Sequence, residues 1–131
     1  MKKNTSRVGF IGENLTLLDL LKRGYNLYKP CIDDDGVDFV VETKKKDKFI
    51  TLQVKYSKYY DSYSSICLDI KKPCRADYIA FVCKDENNKD LILYMKNKRN
   101  KRCTRNIQIT KSKNNQKKGI HNYKSYLIPR F

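Results

Sequence analysis

Gly36-Val37-Asp38-Phe39-Val40-Val41-Glu42, followed after a short polar link by Lys48-Phe49-Ile50-Thr51-Leu52-Gln53-Val54-Lys55-Tyr56, is the stretch that decides the fold. Both runs alternate apolar and polar residues with the period of a β-strand. Val37, Phe39 and Val41 share one face of the first strand (Val37–Glu42); Ile50, Leu52 and Val54 share one face of the second (Lys48–Tyr56). Thr43-Lys44-Lys45-Lys46-Asp47 between them reads as a hairpin connection. A symmetric hairpin centred between Lys45 and Lys46 sets Asp38 across from Gln53, within two residues. The six apolar side chains should pack on a helix. The opposite face then carries Asp38, Val40 and Glu42 on one strand and Thr51, Gln53 and Lys55 on the other.

Upstream, a helix is expected from about Thr5 to Arg23, with Val8, Ile11, Leu15 and Leu18 as its buried face. Thr5 or Ser6 suits its start and Gly24 its end. Gly9 and Gly12 each weaken a helix interior by about 1 kcal/mol, unless they admit another backbone closely. A strand over Tyr25–Ile32 stops near Pro30, and Asp33-Asp34-Asp35-Gly36 reads as turn chemistry. Downstream, strands are expected over Ser64–Ile70, Tyr78–Lys84, Asp90–Lys96 and Arg105–Thr110. The Tyr78–Lys84 and Asp90–Lys96 pair forms a hairpin around Asp85-Glu86-Asn87-Asn88. A basic loop follows over Lys111–Lys118 and a short helix over Ile120–Leu127.

The chain has 131 residues, enough for one domain spanning 1–131 and a real core. At 40% apolar and 33% charged it is neither a disordered chain nor a membrane span. Its 29 Lys and Arg against 14 acids leave a formal net charge of +15. The excess is uneven: the sequence from Leu91 to Phe131 carries 12 of the bases and no acid. Lysine-rich usage explains many lysines but not why the acids stop at Asp90. A polyanionic partner does, and nucleic acid is the usual one. Lys96, Lys98, Arg99, Lys101, Arg102 and Arg105 form one basic cluster, and Lys111, Lys113, Lys117 and Lys118 another. Asn114, Asn115 and Gln116 between them suit base edges or a solvated loop equally. The five cysteines show no CxxC spacing and there is one histidine, His121, so a structural zinc site is not expected. They read as small buried residues of a reduced, intracellular protein without a secretory leader. Of ten tyrosines, Tyr56, Tyr59, Tyr60 and Tyr63 crowd behind Lys55 and read as packing, with base stacking or a subunit contact as the other use.

Asp38, Gln53 and Lys55 converge on the face that the core leaves open. An acid, an amide oxygen and a lysine there suit metal-assisted phosphodiester hydrolysis. The Asp38 carboxylate, the Gln53 carbonyl oxygen and the Val54 backbone carbonyl are hard donors for Mg²⁺, with Mn²⁺ as a substitute. Lys55 would position or deprotonate the attacking water, or steady the charge on phosphorus. Each residue also has a plain structural use: Asp38 in a turn, Lys55 on a solvated sheet, Glu13 on a helix surface.

The order Glu13 … Pro30 … Gly36-Val37-Asp38-Phe39-Val40-Val41 … Leu52-Gln53-Val54-Lys55 resembles the PD-(D/E)XK nuclease superfamily, which includes restriction enzymes, archaeal Holliday junction resolvases and a group I intron homing endonuclease. The resemblance implies an α/β (mixed α+β) fold with a restriction-endonuclease-like core, an N-terminal helix then a mixed β-sheet with flanking helices. It puts Asp38 on the metal-binding aspartate, Lys55 on the motif lysine and Glu13 on a first-helix glutamate that several branches use as an extra metal ligand. Gln53 stands where most members have Glu or Asp, a QxK variant found in the intron-homing branch. Arg75-Ala76-Asp77-Tyr78-Ile79-Ala80-Phe81, Leu91-Ile92-Leu93-Tyr94-Met95, Arg105–Ile109 and Asn114-Asn115-Gln116-Lys117 also resemble that branch. The implied activity is Mg²⁺-dependent, site-specific cleavage of double-stranded DNA by a homo-oligomer, dimer or tetramer. A junction resolvase on the same core and a non-catalytic nucleic-acid-binding domain are the other readings.

Overall fold

The chain runs helix first, then strands. The structure is a computed structural model that describes residues 5–32, 36–45, 47–56, 65–70, 74–84, 89–98, 103–108 and 123–131. Helix α1 (Thr5–Lys22) precedes β1 (Asn26–Tyr28), β2 (Phe39–Glu42), β3 (Phe49–Tyr56), β4 (Ser65–Ile70), β5 (Tyr78–Lys84), β6 (Asp90–Lys96) and β7 (Cys103–Gln108). A single 3-10 turn (Tyr123–Tyr126) stands where a short helix was expected. Five strands form one mixed sheet in the order β1-β2-β3-β5-β6, and β4 pairs with β7 in a separate antiparallel ladder. Within the five, only β3 and β5 run parallel.

The hairpin has the register that its alternation implies. Phe39 faces Leu52, Val41 faces Ile50, and the Thr43 amide reaches the Lys48 carbonyl at 3.0 Å. The Thr43 hydroxyl donates to the Asp47 carboxylate at 2.8 Å, which holds that carboxyl below its usual range. The expected strand β1 is cut to three residues. It is an edge strand with one partner, and Lys29-Pro30 ends it.

Each sheet face carries its own cluster. Phe39, Val41, Ile50, Leu52, Ala80 and Tyr94 pack with Leu20 and Tyr25 on the α1 side, with Val54 half-buried beside them. Phe81, Cys83, Leu93 and Met95 pack on the other side with Tyr126 and Leu127. The Phe131 ring meets Tyr25, Tyr78 and Tyr94 edge to face, with centroids 5.0–5.9 Å apart. The buried Tyr94 hydroxyl donates to Asp19, which also holds Arg23 at 3.0 Å.

Helix α1 forms over the expected residues but turns a different face inward. Gly12, Thr16 and Leu20 are buried, whereas Phe10 is 63% exposed and Ile11 and Leu18 are about half exposed. Val8 and Leu15 are half-buried. The reason is steric. A Cβ on Gly12 would lie 3.1 Å from the Tyr56 Cβ, so the missing side chain lets the end of β3 lie against the helix there. Thr16 tolerates burial because its hydroxyl donates to the Gly12 carbonyl at 2.9 Å. The helix ends as expected: the amides of Gly24 and Tyr25 turn back to the carbonyls of Leu21 and Leu20.

Flanking helices are not found among the described residues, where α1 is the one α-helix and β4 lies on the parallel crossover from β3 to β5. The cysteines divide: Cys74 and Cys83 are buried as expected, but Cys31 is exposed because its strand stops before it.

Candidate active site

Asp38 sits one residue before β2. Its amide donates to the carbonyl of Leu52, the residue that Phe39 faces, at 2.9 Å, so Asp38 stays tied to β3 just beyond the ladder. Its carboxylate reaches the same strand, where Asp38 Oδ2 accepts the Val54 amide at 2.7 Å. Val54 therefore enters the site through its N–H. Asp38 is thereby fixed at the Gln53–Val54 peptide, within the register tolerance that the hairpin arithmetic allows.

Gln53 supplies the second oxygen. Its Oε1 is buried and has no hydrogen-bond partner. An acceptor left in that state costs about 1–3 kcal/mol. A hard cation would repay that cost, because Mg²⁺ takes carboxylate and amide oxygens. Asp38 and Gln53 fit such an ion with one formal negative charge. Among the described residues no group of three or more His, Cys, Asp and Glu could hold a metal, so Asp38 would need the Gln53 amide oxygen beside it as a ligand.

Gly36 closes the site from behind. It has φ +68°, a conformation that favours glycine. A Cβ there would lie 3.0 Å from the Cys74 Cβ and 3.2 Å from Gln53 Nε2. The turn glycine of the sequence is thus also the surface on which the Gln53 carboxamide rests.

Lys55 is half-buried and, two residues on from Gln53, lies on the same face of β3, paired with Phe81 across the parallel ladder. Glu13 is on α1 beside the Gly12–Tyr56 contact, and its carboxylate pairs with Lys29 Nζ at 3.4 Å. That contact turns it toward the end of β1. Of the basic residues, Lys96 and Lys98 are exposed at the end of β6, and Arg105 faces Leu68 in the β4–β7 ladder. Arg99, Lys101, Arg102, Lys111, Lys113, Lys117 and Lys118 lie outside the described residues. So do Asn114, Asn115, Gln116, His121, Tyr59, Tyr60, Tyr63 and Asp33-Asp34-Asp35.

Sequence reasoning passed over the residues that lock β5 onto β3. Asp77 Oδ2 accepts the Thr51 amide at 2.9 Å and its hydroxyl at 3.1 Å, and the Asp77 amide returns to the Thr51 carbonyl at 3.0 Å. Asn97 is buried, and its Nδ2 donates to the carbonyls of Cys74 (3.0 Å) and Ala76 (2.8 Å). An Asp directly ahead of the apolar run Tyr78–Cys83 was the one available signal.

No family model and no curated protein matches the chain. Among solved structures it is similar to a bacterial homing endonuclease, I-Ssp6803I, with a TM-score of 0.68 at 16% identity, over 95% of this chain and 87% of that one. What the chain is shown to share with that endonuclease is its fold.

Proposed function

We propose that this protein is a metal-dependent DNA endonuclease that hydrolyses phosphodiester bonds in double-stranded DNA at a specific site, on a PD-(D/E)XK pattern of the QxK kind. The observation that carries this reading is the buried Gln53 Oε1 with no hydrogen-bond partner, one residue from the Val54 amide that the Asp38 carboxylate accepts. The similarity in fold to a homing endonuclease and the basic, acid-free stretch from Leu91 onward support the same substrate.

In this reading Asp38 and Gln53 would hold Mg²⁺, or Mn²⁺ as a substitute, and Glu13, which pairs with Lys29, would be the further carboxylate. When bound, the ion polarises the phosphate and acidifies water. The chain's own residues do the rest. The Val54 amide aims the Asp38 carboxylate. Lys55 places an ammonium where charge builds on the phosphoryl oxygens. Water adds to phosphorus, one P–O ester bond breaks, and the leaving oxygen takes up a proton. Lys96 and Lys98, with the basic residues that follow, hold the phosphate backbone. One site cuts one strand, so a two-fold pair of copies is needed for both strands of a duplex.

The test is cleavage of mixed plasmid and genomic DNA with Mg²⁺, Mn²⁺ or EDTA, comparing the wild type with Asp38→Ala. Discrete metal-dependent fragments, absent in the variant, are expected. Binding without cutting in both proteins would make this a nucleic-acid-binding domain. Preference for four-way junctions over duplex would make it a resolvase.

A further inference from the structure

We propose that Cys74 and Asn97 are positioning residues for the Gln53 carboxamide, acting through the bare face of Gly36. The proposal rests on the reading of Gln53 as a metal ligand, but its first test does not.

A side-chain amide with a buried, donorless oxygen has reason to rotate, because swinging toward water would satisfy it. Something must hold it in place. On the Nε2 side the carboxamide lies against Gly36, where a Cβ would come within 3.2 Å of that nitrogen. The same Cβ position would lie 3.0 Å from the Cys74 Cβ. The Cys74 side chain and the Gln53 carboxamide therefore converge on the one face that Gly36 leaves bare. The space admits both only because that residue is a glycine.

The Cys74 side of this contact is itself tied down. Cys74 is buried, its carbonyl accepts Asn97 Nδ2 at 3.0 Å, and its Sγ lies 3.4 Å from the same nitrogen. The Asn97 amide donates to the Asp77 carbonyl at 2.9 Å. Asp77 is locked to Thr51, two residues ahead of Gln53 on the same strand. The contacts close a ring: Thr51, Asp77, Asn97, Cys74, Gly36 and back to Gln53. The ring fixes the wall relative to the strand that carries the ligand, so the carboxamide rests against a surface that cannot recede. Preorganising an oxygen in this way raises metal affinity without adding a donor, as outer partners of metal ligands generally do.

The test uses the full chain labelled with ¹⁵N, first without metal. The Gln53 side-chain NH₂ pair is assigned by its loss in Gln53→Glu. In the wild type it should be resolved from the exposed glutamine amides. In Cys74→Gly, which removes the Cβ, and in Asn97→Ala it should move to the exposed-glutamine positions, and in Cys74→Ala, which keeps the Cβ, it should stay. Mg²⁺ is then titrated and read on the same pair. Half-saturation should rise about tenfold in Cys74→Gly and remain near wild type in Cys74→Ala. An unchanged Gln53 pair in folded Cys74→Gly overturns the proposal. Should Cys74→Gly fail to fold, Asn97→Ala decides: an unmoved Gln53 pair there overturns the proposal and a displaced pair supports it. A pair that moves in Cys74→Gly but ignores Mg²⁺ in the wild type keeps the positioning role and removes the metal reading.

Discussion

Gln53 carries an amide where a carboxylate would bring a second negative charge to the site. Gln53→Glu should therefore tighten Mg²⁺ by about tenfold, equivalent to about 1.4 kcal/mol. In metal-free protein the same change should lower Tm, since it puts a buried charge beside Asp38 with no donor to meet it. Isothermal titration and thermal unfolding with and without Mg²⁺ check both halves. Lys55→Ala should abolish cutting and leave DNA affinity nearly unchanged, in cleavage and mobility-shift assays run side by side. Equal loss of both would remove Lys55 from the chemistry. Tyr94 offers a test independent of function. Burial, and then the hydrogen bond to Asp19, push its phenol up from 10.0. Folded Tyr94 keeps its proton where the unfolded chain loses it, so the stability it contributes is complete below pH 10 and falls above it. Tyr94→Phe should be less stable than wild type at pH 9, with the gap narrowing by pH 11 in denaturant titrations.

At the scale of elements, α1 shows what periodicity can and cannot decide. Apolar residues recur on nearly every side of it, at Val8, Phe10, Ile11, Leu15, Leu17, Leu18, Leu20 and Leu21. Spacing alone allows more than one inward face, and the expected one was wrong. The close contact of Gly12 with Tyr56 selects the face instead. Leu20, fully buried, should lose about 2–5 kcal/mol on change to Ala. Leu18→Ala, about half exposed, should stay within about 0.5 kcal/mol. Chemical denaturation of the two variants separates them, and equal losses would restore the expected face. The hairpin of β2 and β3 was legible down to its register. Phe39 and Val41 on one strand and Ile50 and Leu52 on the other share a face, and a one-residue slip would turn all four outward. The lock of Asp77 on Thr51 was not legible, because parallel pairing joins residues that no turn connects.

For the molecule as a whole, the charge asymmetry makes a prediction that fold cannot. DNA affinity should fall steeply with salt, and the slope of log K against log salt should shrink by about one unit for each phosphate contact removed. Lys96→Ala with Lys98→Ala tests this in salt-series binding assays. An unchanged slope would move the DNA surface away from the end of β6.

The sequence by itself determined the order of elements, the hairpin register and the uneven positive charge, because alternation, turn residues and net charge are local or additive properties. It also singled out Asp38, Gln53 and Lys55 as neighbours, since a hairpin brings its own strands together. Only the tertiary structure decided which side of α1 is buried, that β5 inserts parallel beside β3, and that Cys74 and the Gln53 carboxamide meet over the bare face of Gly36. Those choices rest on steric fit between segments distant in the chain, and fit of that kind leaves no periodic trace in the order of residues.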